Sequence, residues 1–346
     1  MSHRIKIANT GAEISCRPGE TILAAALEAG VLYPHGCQSG NCGACKSHLL
    51  DGQVEMDSYA SFALMRDERA RGQILACRAV PRTRCTVAWL ELDDVIAHPR
   101  RTLAAVVVGI DDATHDIKRL MLRIESGEPF AFSAGQFASV SFPGTPARDY
   151  SMANRPGADL LEFHIRRMPD GTTSEHVAAR VSLGDVVRVD GPFGTSFLRE
   201  RHRGPVLAVA GGSGLAPIKS IVEQALALRL PQPISLYVGA RHEQDLYLTE
   251  HFAALAATYA NLRLVPVLSA PAGATDRRIG LLHEAIAADF ATLDGCKAYV
   301  AGPPVMVEAV TATLTARGMR RIDVHADAFY SAAEMAAAGR KTGAEM

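Results

Sequence analysis

The sequence has almost no net charge: 36 Lys and Arg stand against 37 Asp and Glu in 346 residues. Such a balance exerts no broad pull on nucleic acid or an anionic membrane, so neither is expected as a partner. Long apolar runs are missing too. Stretches such as Val206–Ala210 are cut by Gly211 and Gly212, so no membrane span is expected. Behind the charged start Met1–Ile7 there is no apolar run of signal-peptide length, and the expectation is a soluble, cytoplasmic protein. Internal repeats and low-complexity segments are absent. Cysteine is sparse, and its seven residues do not form a disulfide framework. Three of them instead crowd between Cys37 and Cys45, which suits a metal site in a reducing compartment. Cys16, Cys85 and Cys296 read as small apolar residues in cores or strands.

What is present fits two or three domains, and 48% hydrophobic residues give each an ordinary core. Residues 1–96 hold short strands, a helix over Glu20–Gly30, the cysteine loop and a second hairpin-like stretch ending at Trp89–Leu92. A Pro- and charge-bearing linker follows at Ala97–Arg101. Residues 101–199 hold short strands at Ala104–Ile110, Ile117–Ile124, Phe137–Phe142, Leu160–Arg166 and Asp185–Val189, whose even spacing predicts a small antiparallel barrel. Residues 204–330 alternate strands (Val206–Ala210, Ile234–Val238, Arg263–Val267, Ala298–Ala301) with helices (Ile218–Leu228, Leu248–Tyr259, Leu281–Ala288, Val305–Arg317). That alternation predicts a parallel, doubly wound sheet. Residues 331–346 form an Ala-rich tail.

Cys37, Cys42 and Cys45 have C-x4-C-x2-C spacing, and Cys77 follows after 31 intervening residues. Plant-type ferredoxins hold [2Fe–2S] with this spacing plus one distant cysteine. Gly36, Gly40 and Gly43 are expected to supply positive φ and let amides approach the sulfurs. A zinc site would ask for a second ligand pair, and only one distant cysteine fits. Cys85 is an alternative fourth ligand, although it sits inside an apparent strand.

In the middle block, Arg148-Asp-Tyr150-Ser151-Met152 offers an arginine for a phosphate, an aromatic for a flavin ring and a hydroxyl for a ring nitrogen. A plain strand with a surface arginine explains the same residues. In the last block, Val206–Ala210 runs into Gly211-Gly212-Ser213-Gly214-Leu-Ala-Pro217 and a helix, a geometry that presents N–H groups to a pyrophosphate. The strict G-x-G-x-x-G pattern is absent, because Pro217 stands in the last position, where it fits the first turn of a helix.

These motifs together resemble the ferredoxin–NADP reductase superfamily, in particular the reductase components of bacterial aromatic-ring-hydroxylating dioxygenases. The resemblance rests on Tyr33–Cys45, Leu49–Gly52, Ile74–Cys77, Phe132–Phe137, Arg148–Ser151, Phe163–Arg166, Gly171–Ser174, Gly184–Asp185, Gly191–Gly194, Gly211–Pro217, Ala301–Pro304 with Met306–Val307, and His325–Tyr330. It implies a β-grasp ferredoxin domain, an antiparallel flavin barrel and a doubly wound nicotinamide domain. It also implies [2Fe–2S] on Cys37, Cys42, Cys45 and Cys77, together with FAD and NADH, NADPH being the alternative. Arg148 would meet the flavin pyrophosphate, Tyr150 would pack on the isoalloxazine, and Ser151, beside Met152, would lie near N5. The second flavin segment comprises His164, Ile165, Arg166, Gly171, Thr172, Thr173 and Ser174, the last three hydroxyls capping a helix that faces the pyrophosphate. Gly212, Ser213, Gly214, Gly302 and Pro303 would hold the nicotinamide nucleotide, and Phe329 would cover the flavin face.

Many relatives have cysteine where this chain has Ala301, so no thiol role near the nicotinamide carries over. Cofactor choice is open, since Arg241 favours a 2′-phosphate while Glu243, just beyond it, favours a ribose hydroxyl. The implied activity is hydride transfer from NAD(P)H to FAD, then single electrons to the cluster and on to a terminal oxygenase or separate ferredoxin, from a monomer. The other readings are a reductase for a di-iron monooxygenase, a cytochrome P450 or a deoxysugar dehydrase, and a non-enzymatic electron carrier.

Overall fold

The computed structural model describes residues 2–60, 63–90, 98–125 and 130–330. The end of the second hairpin-like stretch at Leu92, the start of the linker at Ala97 and the tail 331–346 lie outside them. The described residues divide into two compact units: the first runs to Leu90 and is joined by Tyr330, and the second runs from His98 to Phe329.

In the first unit, strands β1 (His3–Ile7) and β2 (Ala12–Cys16) form a hairpin, and α1 (Ile22–Glu28) follows with Thr21 as its N-cap. Then come β3 (Lys46–Asp51), β4 (Val54–Met56), the short helix α2 (Arg66–Ala70), β5 (Gln73–Leu75), β6 (Ala79–Pro81) and β7 (Cys85–Trp89). The sheet order is β2-β1-β7-β3-β5, with β1 and β7 parallel, and α1 packs against it as in a β-grasp. Alternation along β1 and β2 sends Ile5, Ile7, Ile14 and Cys16 into the core with Ile22, Leu23 and Val87. Each such aliphatic side chain contributes about 1.5–3 kcal/mol by leaving water. Cys16 and Cys85 are wholly buried there, and burial pushes the Cys16 thiol up to about 11. Both are core residues, as expected, and Cys85 is tied through its thiol to Gln53 and Thr83 carbonyls.

The second unit begins with an antiparallel sheet of β8 (Arg101–Asp112), β9 (Ile117–Ile124), β10 (Phe137–Ser141), β11 (Arg148–Ser151), β12 (Leu161–Arg166) and β13 (Val186–Phe193), with helix α3 (Thr172–Ala179) before β13. Its order is β11-β10-β13-β8-β9-β12. A bridge between Met152 and Phe163 joins the two ends, so the sheet nearly closes into the expected barrel.

A parallel sheet follows, built from β14 (Val206–Gly211), α4 (Leu215–Ala227), β15 (Ile234–Ala240), α5 (Thr249–Thr258), β16 (Leu262–Leu268), β17 (Arg278–Ile279), α6 (Leu282–Asp289), β18 (Lys297–Gly302), α7 (Pro304–Ala316) and β19 (Val324–Ala328). Every residue of β14 and β18 is buried, as strands covered on both faces must be. The order β17-β16-β15-β14-β18-β19 reverses direction between β14 and β18. Ligands of open α/β sheets bind beyond the carboxyl ends of the strands at such a switch point. Barrel residues Ile117, Ala134 and Leu198 share a core cluster with Val206 of β14 and Leu215 and Ile221 of α4, so the barrel and the parallel-sheet layer pack as one body.

Candidate functional site: a thiol cluster, a flavin strand and a glycine turn

The cysteine loop runs from Cys37 into β3, while Cys77 lies just past β5. The four thiols fall into two hydrogen-bonded pairs, Cys37 with Cys42 and Cys45 with Cys77. In each pair one sulfur is stabilised as thiolate: Cys42 holds Cys37 down to about 5, and Cys77 lowers Cys45, in both cases against the opposing effect of burial. Thiolate is the form that ligates metal. Backbone amides also converge on the sulfurs. Asn41 N–H reaches Cys37 Sγ at 3.2 Å, Cys37 and Ala44 reach Cys42 Sγ at 3.4 and 3.5 Å, and Cys77 reaches Cys45 Sγ at 3.4 Å. Two pairs ringed by amides suit a two-iron cluster better than one zinc ion.

Positive φ occurs at Gly40 (81°) and Gly43 (72°) as expected, but Gly36 does not supply it; Gln38 does (54°). A Cβ on Gly40 would stand 2.9 Å from both Tyr59 Cβ and Arg78 Cγ. Gly40→Ala is therefore expected to cost about 1–3 kcal/mol and to lower iron and sulfide per chain, read by thermal melting and metal analysis. A fully loaded, equally stable variant would show that the loop does not need this approach.

Arg148–Ser151 is indeed a strand, paired with β10 so that Ser151 faces Phe137 and Tyr150 faces Ala138. Arg148 is exposed, Tyr150 half-buried and Ser151 buried. Burial raises the Tyr150 phenol, so it stays protonated. Gln136 of the A-G-Q segment accepts from Ser133 N–H at 2.8 Å and donates to Gly194 O at 3.0 Å, while its carbonyl takes Met152 N–H at 3.1 Å. These bonds fix the register of β11.

The Thr172–Ser174 hydroxyls do not cap α3. Its N-cap is Gly171, with no side-chain hydrogen bond. Thr173 Oγ1 donates to Pro146 O at 2.8 Å, tying the helix start to the segment before Arg148. Ser174 Oγ donates to Gly171 O at 3.1 Å and accepts from Met168 N–H at 3.0 Å. A helix start without a side-chain cap suits an anion, since its first amides have no internal partner. On β12, Ile165 is buried and Arg166 Nε binds Asp116 at 2.7 Å. The same guanidinium lies over the glycine turn, where a Cβ on Gly212 would meet Arg166 Nη1 at 3.3 Å.

Beyond β14, Gly212–Gly214 form a single 3-10 turn that runs into α4, which begins at Leu215 and so takes Pro217 in its first turn. Gly214 has no room for a side chain: its Cβ would sit 2.2 Å from Ala301 O and 2.7 Å from Gly302 N. Gly302 ends β18, Pro303 caps α7, and Phe329 N–H donates to Gly302 O at 2.9 Å. The switch point thus gathers Gly212, Ser213, Gly214, Gly302, Pro303 and Phe329. Helix α4 also docks on the residues after Ser151, with Ser220 Oγ donating to Asn154 O at 2.7 Å.

A cleft of about 1100 Å³ runs along β16 (Arg263, Val265) and the segments after β15 and β16, where His242, Glu243, Asp276 and Arg277 line it. Arg241 and Glu243 pull cofactor choice in opposite directions. Arg241 is exposed, and Glu243 is bound to Arg277 Nε at 2.6 Å. Arg277 carried no sequence signal, because only the fold brings it across 34 positions.

Three family models match in order: the 2Fe-2S iron-sulfur cluster binding domain over residues 5–82, the oxidoreductase FAD-binding domain over 104–197, and the oxidoreductase NAD-binding domain over 208–312. The reductase component of the naphthalene 1,2-dioxygenase/salicylate 5-hydroxylase systems of a Ralstonia species is 41% identical over 92% of this chain and 95% of its own. The chain belongs to the ferredoxin–NAD(P)+ reductase components of oxygenase systems. The phenol 2-monooxygenase reductase component of a Pseudomonas strain is 34% identical over 96% of each chain. Among solved structures, a cytochrome P450 reductase from Amycolatopsis has a TM-score of 0.77 and 34% identity, covering 94% of this chain and 98% of its own.

The reductase is an oxidoreductase with 2Fe-2S, FAD and NAD-binding domains, serving electron transfer to an oxygenase system. No helix among its described residues is long and apolar enough to cross a membrane.

Proposed function

We propose that this reductase serves a Rieske ring-hydroxylating dioxygenase or that enzyme's separate ferredoxin. The 41% identity to a reductase of naphthalene 1,2-dioxygenase/salicylate 5-hydroxylase systems supports this reading over the phenol 2-monooxygenase and P450 systems of the 34% relatives. Reconstitution tests it: a ring-hydroxylating dioxygenase ferredoxin should be reduced at least about tenfold faster than a P450 or di-iron hydroxylase partner, a preference of ~1.4 kcal/mol. A reversed order would assign the reductase to one of those systems instead. The working form is a monomer in the cytoplasm.

The bound groups supply hydride acceptance and single-electron storage, and the chain supplies position. Cys37, Cys42, Cys45 and Cys77 hold the cluster, their sulfurs stabilised by loop amides. Arg148 and the start of α3 would hold the flavin pyrophosphate, and Tyr150, Ser151 and Met152 would hold its ring system. Gly212, Ser213, Gly214, Gly302 and Pro303 bind the nicotinamide nucleotide, and Phe329 covers the face it must enter. One observation carries this reading: Ser220 of α4, the helix that follows the glycine turn, donates to Asn154 O just after β11. The cleft at Glu243 takes the adenosine ribose, with Glu243 accepting from its 2′-hydroxyl, so NADH is preferred. Glu243→Gln should lower the NADH-to-NADPH ratio of kcat/KM about tenfold; an unchanged ratio would remove Glu243 from cofactor choice.

A further inference from the structure

Glu162, on β12, is buried yet carries a carboxylate, and it is met from several elements. Arg119 Nε of β9 reaches Oε1 at 3.3 Å, Lys219 Nζ of α4 reaches Oε2 at 2.9 Å, and His164 Nε2, on the same strand, lies 2.9 Å from Oε1. These partners hold its carboxyl well below the usual range despite burial. Lys219 is anchored further by Ala153 O at 3.2 Å and Glu223 at 3.3 Å. The second imidazole nitrogen, Nδ1, lies 2.9 Å from the hydroxyl of Tyr247, which follows β15, and the two rings meet edge to face at 5.3 Å. The same hydroxyl is 3.4 Å from the carbonyl of Gly212.

Proton accounting orders this chain. An ionised Glu162 only accepts, so the His164 proton sits on Nε2 and Nδ1 is an acceptor. The single Tyr247 O–H is then shared between Nδ1 and the Gly212 carbonyl. His164 therefore spends both ring nitrogens on neighbours within the protein, which leaves none for a cofactor. We propose that His164 and Tyr247 are positioning residues that fix the glycine turn to strand β12, so that the nucleotide bound at the turn meets the flavin bound along β11 and β12 at a fixed distance. The proposal rests on the reading that Gly212–Gly214 bind the nicotinamide nucleotide. Its physical ground is that small misplacements of reacting groups slow transfer far more than they weaken binding.

The test uses the flavin-loaded reductase with Tyr247→Phe, which keeps the ring and removes the hydroxyl. Under anaerobic conditions the limiting rate of flavin bleaching by NADH should fall about tenfold while the NADH Kd changes by less than about threefold. Without nicotinamide, deuterium uptake at the Gly212–Gly214 amides should quicken, while flavin content and Tm hold. His164→Ala should reproduce the loss, and His164→Gln, whose amide can bridge Glu162 and Tyr247, should restore most of the rate. An unchanged limiting rate with unchanged exchange would overturn the proposal. So would a rate loss matched by a general fall in Tm and protection, which is the mark of plain structural damage. If Gly214→Ala leaves NADH binding intact, the glycine-turn reading itself fails, whatever Tyr247→Phe does.

Discussion

Cys42→Ser should abolish NADH-dependent cytochrome c reduction, by at least about 100-fold, as expected for loss of a ligand when even outer-shell changes cost 10–100-fold. The same variant should keep NADH–ferricyanide activity within about threefold of the parent, because the two units have their own cores and local damage stays local. Cys42 is one of the four thiols that would hold the cluster, and its sulfur receives amides from Cys37 and Ala44. Serine offers a shorter, harder oxygen in place of that sulfur. Parallel assays with the two acceptors separate the outcomes. Equal loss of both activities would mean that the thiol loop is not a separate exit for electrons.

Gly214→Ala should be among the most damaging single methyls in the second unit. Its Cβ would stand 2.2 Å from Ala301 O and 2.4 Å from the carbonyl carbon, and both are backbone of a buried strand. No side-chain rotation can relieve that contact, so the turn must move away from β18. Overpacking of this kind costs about 1–3 kcal/mol and sometimes more. The displaced turn should also lower kcat/KM for NADH about 100-fold, because the switch point aligns groups from two strands. Thermal melting and an NADH titration check the two effects. Near-parental values in both would show that the turn tolerates displacement and that its close packing has no part in nucleotide binding.

Much of this was legible in the sequence because the signals are local. Cysteine spacing marks the cluster loop, and apolar runs between glycine turns mark the strands of the parallel sheet, each found within a few residues of its expected ends. What the sequence hid depends on pairing at a distance. Thr172–Ser174 look like helix caps, yet Thr173 and Ser174 spend their hydroxyls on Pro146 and Gly171 because the neighbouring turn is folded against them. Gly36 looks like a positive-φ residue by type, whereas the loop places that conformation on Gln38. Strand β19 at Val324–Ala328 has no strand signal of its own in the sequence; among the described residues it pairs with β18 alone. The Glu162–His164–Tyr247 chain joins residues up to 85 positions apart, from strand to loop, with no periodicity to betray it.

The most direct test of the electron chain is anaerobic addition of NADH to the purified protein, followed by visible absorption and electron paramagnetic resonance. The expected result is bleaching of the flavin bands together with the signal of a reduced [2Fe–2S] cluster, the latter missing from Cys42→Ser while its flavin still bleaches. A cluster that dithionite reduces but NADH does not, in protein with full flavin content, would contradict the chain from nicotinamide through flavin to the four cysteines.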